Sequence, residues 1–241
     1  MPTTLLYQTD SYIKEFSATV IGVDPEIRGI ELDQTAFYPG GGGQPYDTGT
    51  LDCGPEVFHL RRAQKVDDRV WHWVDGDGPL PESGTTVTGK LEWTRRYRLM
   101  RTHTAMHILC GVVFRDYGAL VTGGDMEPLI GRMDFEFETM SKDLVGSIET
   151  AINLEVQKAR QVIVSILPRE EAFQIPDLIR TKINLLPVGI DYVRVVNIQG
   201  LDMQADGGTH VRNTAEVGKL KVVDYKSKGK INKRIYLEIQ D

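Results

Sequence analysis

Residues 93–116 read WTRRYRLMRTHTAMHILCGVVFRD and mark where one kind of sequence gives way to another. Thr94 suits an N-cap, because its hydroxyl can accept from an amide that the first helical turn leaves unpaired. No proline interrupts the stretch, and residues 95–116 predict a long helix. Ahead of it, segments 17–23, 29–32, 57–62 and 70–74 are short, partly alternating and bounded by Gly, Pro and Asp, as strands between turns are. Between them, residues 38–45 (YPGGGGQP) exclude a regular element, since proline removes a donor and four glycines free the backbone. Strands at this spacing predict a small β-barrel.

Beyond the long helix, a Gly-containing turn is expected at 118–124 and a strand at 129–137. Ser141 can cap a second helix, with Asp143 in its first turn where a carboxylate suits the helix dipole. Leu144, Ile148, Ala151 and Ile152 give that helix an apolar stripe for the core. A strand at 162–167, a short helix near 177–183, a strand near 191–198, a Gly-rich turn at 207–208 and a strand pair within 218–239 complete the pattern. The expectation is an α+β domain over residues 91–241, preceded by a small, mostly β, barrel-like domain over residues 1–90. The boundary follows DGDGPLPESG at 75–84.

Hydrophobic residues make up 41% of the 241-residue chain, so a real core can form and disorder is not expected. The formal net charge of −6 argues against a protein that coats nucleic acid nonspecifically. It leaves room for local basic faces, and two clusters stand out: Arg95, Arg96, Arg98 and Arg101, then Lys226, Lys228, Lys230, Lys233 and Arg234. Either a solvated face or a phosphate-binding one accounts for each. Two distant cysteines, Cys53 and Cys110, make no disulfide framework. The N-terminus lacks a signal-peptide pattern, and no stretch approaches the roughly 20 apolar residues that span a bilayer. These features read as a soluble, cytoplasmic protein with no membrane partner.

The chemistry concentrates in two short motifs. His103-Thr104-Ala105-Met106-His107 places two imidazoles at i and i+4, on one helical face and close enough to share a metal. Two packed histidines are the alternative. Asp206-Gly207-Gly208-Thr209-His210 adds a carboxylate and a third imidazole on a turn whose glycines permit close backbone approach. Asp206 alone could equally be a turn-forming Asx residue. Together, His103, His107, Asp206 and His210 form a candidate set for a divalent metal, since zinc accepts N and O donors at about 2.0–2.2 Å. Cys110 shares the helical face and is a rival ligand, although its apolar surroundings at 108–114 suit a buried, inert thiol.

HTAMH followed much later by GGTHV-x-NT-x-E-x-G resembles the editing domain of alanyl-tRNA synthetase and its free-standing relatives, the AlaX proteins. The same motif pair occurs in the threonyl-tRNA synthetase editing domain. Residues 33–49 (DQTAFYPGGGGQPYDTG) are similar to the Gly-rich segment that precedes the editing domain in the longer AlaX forms. Residues 226–237 (KSKGKINKRIYL) match the family's last strands. The resemblance implies a stand-alone editor with a zinc site of the form HxxxH plus CxxxH. His103, His107 and His210 match that pattern, and Asp206 stands at the cysteine position. A carboxylate is harder than a thiolate, so zinc binding should weaken and other divalent metals become acceptable.

The implied reaction is hydrolysis of the ester joining serine or glycine to alanine tRNA. Catalytic expectation falls on His103, His107, Asp206 and His210. The Gly207 and Gly208 amides are candidate oxyanion donors, or merely a turn that positions His210. Thr122 is a candidate reader of the serine hydroxyl, with Gln44 and, less directly, Gln204 as others. Arg95, Arg96, Arg98, Arg101, Lys228 and Lys230 are candidate tRNA contacts in a monomer or homodimer. A tRNA- or metal-binding module without catalysis, or a metallohydrolase of small esters or amides, are the competing functions.

Overall fold

The computed structural model describes residues 2–181 and 189–240. The chain divides into two compact units, Met1–Tyr97 and Arg98–Asp241.

The first unit is a closed, antiparallel six-stranded barrel. Its strands are β1 (Glu15–Asp24), β2 (Gly29–Leu32), β3 (Gly49–Cys53), β4 (Glu56–Val66), β5 (Arg69–Val74) and β6 (Thr86–Leu91). Around the barrel they run β1-β2-β5-β4-β3-β6, and β6 pairs back to β1. Inward positions carry Val20, Ile30, Leu32, Leu51, Leu60 and Val87, all buried in one core. Closure leaves no unpaired sheet edge. A two-residue parallel pair, Thr4–Leu5 with Gln34–Thr35, lies outside the barrel.

The Gly-rich tract is an irregular loop. Gly40, Gly41, Gly42 and Gly43 have φ of 85°, 127°, 57° and 86°, a left-handed run that side chains with a Cβ resist. Gly41 and Gln44 exchange backbone hydrogen bonds of 3.1 and 2.9 Å. Asp47 ties the loop down: its amide donates to Tyr38 O and its carboxylate accepts from Tyr38 N. That carboxylate also receives the Arg96 guanidinium, through Nε at 3.0 and 2.9 Å and through Nη2. Arg96 Nη1 donates to Ser11 O at 2.9 Å.

The long helix is α1 (Trp93–Tyr117). Its first turn differs from the sequence expectation. Glu92 Oε2, not Thr94, accepts from the Arg95 amide at 2.6 Å, and a carboxylate at a helix N-terminus is favoured on the same grounds as a hydroxyl cap.

The second unit is α+β. β7 (Val121–Glu127) and β8 (Ile130–Glu136) join β12 (Lys219–Ser227) and β13 (Asn232–Gln240) in a sheet ordered β12-β13-β8-β7. α2 (Lys142–Gln157) starts at Ser141, whose side chain accepts from Leu144 N, and buries Val145, Ile148, Ile152 and Val156. β9 (Val162–Pro168), β10 (Tyr192–Ile198) and β11 (Asp202–Ala205) form a three-stranded antiparallel sheet.

Two expectations change. Residues 121–127 are a strand rather than a turn, because Gly124 and Gly131 let the sheet close on α1: a Cβ at either would sit 3.1 Å from Met106. The short helix expected near 177–183 is instead a single turn, α3 (Arg169–Ala172), and residues 177–181 are not helical. Residues 182 and 183 lie outside those described. Among the described residues no helix is long and apolar enough to cross a membrane.

Candidate metal centre

α1 and the loop after β11 bring the two motifs together inside the second unit. One turn of helix separates His103 from His107, so both rings leave the same face of α1. β11 pairs with β10 up to Ala205, and the Asp206 amide extends that pairing by donating to Arg194 O at 3.1 Å. Arg194 Nη1 answers with a 2.9 Å bond to Asp206 O. The chain then turns sharply, because Asp206 Oδ1 accepts the Gly208 amide at 2.8 Å. That turn delivers His210.

One ligand atom from each of His103, His107, Asp206 and His210 lies within 4.8 Å of the others. The Asp206 carboxylate sits among the rings: Oδ1 is 3.0 Å from His210 Nε2, and Oδ2 is 3.4 and 3.9 Å from His103 Nε2 and His107 Nε2. The His103 and His210 rings stack with centroids 4.2 Å apart, and His107 meets both edge-on. The three imidazoles are 3–6% exposed, so bulk water is largely kept off them.

Two of the far ring nitrogens have side-chain partners of their own. His107 Nδ1 lies 2.9 Å from Asp202 Oδ2, and His210 Nδ1 lies 3.2 Å from Thr104 Oγ1. Thr104 Oγ1 also accepts the Val211 amide at 3.2 Å.

Burial pushes the His103 imidazole down to about 4, against the opposing charge of Asp206. Burial also takes His210 well below its usual value, and neighbouring His103 adds to that. Burial alone would raise Asp206, yet His103 and His210 hold its carboxyl well below the usual range. His107 goes the other way, because the hydrogen bond and charge of Asp202 outweigh burial. Neutral His103 and His210 beside an ionised Asp206 are in the protonation states that metal binding requires, and His107 would release its extra proton when a cation binds. The donor set therefore fits a divalent cation, with three Nε2 atoms and one carboxylate oxygen as ligands.

Other candidate residues fall elsewhere. Cys110 is outside the cluster, 3.3 Å from Gln204 Nε2, and burial raises its thiol far above the usual range. The Gly208 amide is already engaged by Asp206, so it is not a free oxyanion donor. Gly207 is exposed at the turn. Thr122 is exposed on β7 and donates to Asn232 Oδ1 at 2.9 Å. Gln44 is buried in the Gly-rich loop of the first unit.

Among the arginines expected to contact tRNA, Arg96 must be withdrawn. It is fully buried, and its guanidinium is spent on Asp47, Ser11 and Ala36. Arg95 donates to Tyr46 O and Arg101 to Val217 O, both half-buried. Arg98, Lys228 and Lys230 are exposed. Lys233 is buried on backbone carbonyls, and Arg234 pairs with Asp134.

Sequence reasoning overlooked Asp202 and Thr104. Thr104 lies inside the HxxxH motif. Asp202 carried a readable signal, since Asp202, Gln204 and Asp206 fall at strand alternation and share a face.

Residues 193–236 match the family described as the threonyl and alanyl tRNA synthetase second additional domain, and residues 10–95 match class II (A) tRNA synthetases. The alanyl-tRNA editing protein AlaX-M of Saccharolobus solfataricus is 38% identical over 98% of this chain and 98% of its own length. That of Methanosarcina barkeri is 35% identical over 99% of this chain and 100% of its own. The alanine–tRNA ligase of Ignicoccus hospitalis is 38% identical over 92% of this chain, which spans 24% of that longer protein. Full-length similarity to free-standing editors, with the barrel, the HxxxH helix and the GGTH turn in one order, places this chain in the alanyl-tRNA editing protein AlaX-M family.

Proposed function

We propose that the protein hydrolyses the ester of mischarged alanine tRNA, releasing serine and, by the same chemistry, glycine. The observation that carries this reading is the convergence of His103, His107, Asp206 and His210 on one buried point, in a chain whose full-length relatives are named alanyl-tRNA editing proteins. In this reading the four residues hold a divalent cation, with zinc the first candidate. Such an ion supplies Lewis acidity that can polarise an ester carbonyl or lower the pKa of water.

The chain's own residues do the rest. The carboxylate of Asp206, steadied by the Gly208 amide, brings negative charge to a centre whose other members are imidazoles. Burial of the rings limits bulk solvent around the centre, which strengthens the electrostatic interactions made there. Arg98, Lys228 and Lys230 are the exposed cations assigned to the tRNA phosphates.

The test pairs metal analysis of the purified protein with deacylation of Ser-tRNA(Ala) and Gly-tRNA(Ala), with Ala-tRNA(Ala) as control. One equivalent of metal and selective hydrolysis are expected, both lost in His103→Ala. Full deacylation by that variant overturns the metal reading. Cleavage of small esters with charged tRNA left intact overturns the substrate.

A further inference from the structure

A carboxylate behind the cluster has no role in the reading above. Asp202 opens β11, and its side chain is fully buried. Its Oδ2 accepts from Gln204 Nε2 at 2.7 Å and lies 2.9 Å from His107 Nδ1. Its Oδ1 has no hydrogen-bond partner among the described residues and faces Arg180 Nε at 3.5 Å. Arg180 is itself steered by the Phe114 ring, 4.0 Å from its guanidinium carbon. Two hydrogen-bonding groups and a guanidinium charge thus converge on one acceptor-only carboxylate, which suits an Asp here rather than an Asn.

We propose that Asp202 is a positioning residue for the metal centre: by accepting the Nδ1 proton of His107, it fixes the tautomer whose Nε2 lone pair faces Asp206 and the other two rings. This inference rests on the metal reading above. An imidazole offers its lone pair at one nitrogen only when the proton is held at the other. His107 is the ring with a buried carboxylate behind it, whereas His210 has the neutral hydroxyl of Thr104. A carboxylate in this place also makes the ring a stronger donor. Gln204 keeps Asp202 from turning away, and Gly111 lets β11 approach α1, since a Cβ there would meet Asp202 Cβ at 3.0 Å.

The experiment measures zinc affinity by chelator competition, and the visible spectrum of the cobalt(II)-loaded protein, for wild type, Asp202→Asn and Gln204→Leu. Asp202→Asn should bind zinc about 10–100-fold more weakly, with an altered cobalt spectrum at saturation. Wild-type affinity and spectrum in that variant overturn the role of Asp202 and leave the ligand set standing. Should Asp202→Asn not fold, Gln204→Leu reads the same contact: several-fold weaker zinc binding supports the inference, and unchanged binding overturns it. A wild-type protein that takes up no metal overturns the ligand set itself, and this inference with it.

Discussion

Single residues set both the chemistry of the site and its stability. Asp206 is the residue that departs from the cysteine implied by the family pattern, and a carboxylate and a thiolate carry the same charge with different softness. Asp206→Cys should therefore bind zinc more tightly and discriminate more strongly against manganese, measured by chelator competition with each metal; equal or weaker zinc binding counts against Asp206 as a ligand. His72 makes a separate case inside the barrel. Its Nδ1 donates to Ile30 O at 3.0 Å, so Nε2 must accept from Thr35 Oγ1 at 2.8 Å. Burial pushes its pKa down to about 4, against the bond to Ile30. The unfolded chain, with a value near 6.5, takes up the proton first, so stability is full above about pH 6.5 and falls as the pH drops toward 4. The contribution is roughly 3 kcal/mol. The urea midpoint of His72→Gln should lie below wild type at pH 7.5 and fall less steeply between pH 6.5 and 4. Parallel pH profiles would mean that His72 does not titrate as argued. Arg96 and Asp47 pose a starker choice, because both side chains are buried and removing one partner strands a charge away from solvent. Asp47→Ala should cost about 3–5 kcal/mol in urea unfolding, whereas replacing both residues with apolar ones of similar size should cost much less. A single variant as stable as wild type would show that the charge finds another partner.

Elements place these residues, and the approach of α1 to β11 governs the site. Gly111 marks the contact: a Cβ there would lie 2.9 Å from Leu201 Cγ and 3.1 Å from Leu201 O. Alanine gains about 1 kcal/mol of helix preference over glycine. Overpacking against a backbone oxygen costs typically 1–3 kcal/mol, so the clash should win. Gly111→Ala should lower the melting temperature and, by displacing the strand that carries Asp202, weaken zinc binding too. A melting temperature above wild type would mean that β11 yields easily. The same packing explains what could be read from the sequence and what could not. Four of the six barrel strands, the long helix, the Ser141 cap and the two site motifs were legible, because each is encoded locally by alternation, capping or i, i+4 spacing, whereas β3 and β6 were missed. β7 was not, since Gly123 and Gly124 look like a turn until Met106 of α1 is packed over the sheet. The Glu92 cap escaped because a nearby hydroxyl, Thr94, satisfied the same local rule. Arg96 was misread for a deeper reason: its buried partner Asp47 is 49 residues away, and no local pattern separates a core arginine from a phosphate-binding one.

At the scale of the whole molecule, charge decides how the protein meets its substrate. With a net charge of −6, the chain as a whole repels a polyanion, so tRNA binding must rest on a few exposed cations. Many of the basic residues in the two clusters are already spent: Arg96 on Asp47, Arg234 on Asp134, Lys226 on Asp224 and Lys233 on backbone carbonyls. The side chains of Arg98, Lys228 and Lys230 enter none of those pairs, Lys230 contributing only its backbone carbonyl to Lys233, and all three residues are exposed. Each phosphate contact releases counterions and steepens the fall of affinity with salt by roughly 0.7–0.9 in log–log slope. Reversing all three to Glu should therefore weaken tRNA binding across sequences and flatten the slope by roughly 2 to 3. Metal content should be unchanged, because none of the three belongs to the metal cluster. Filter binding from 50 to 300 mM salt, with zinc measured on the same preparations, separates the possibilities. An unchanged slope would move the tRNA footprint off these residues. A flattened slope with lost zinc would point to a folding defect rather than a lost contact.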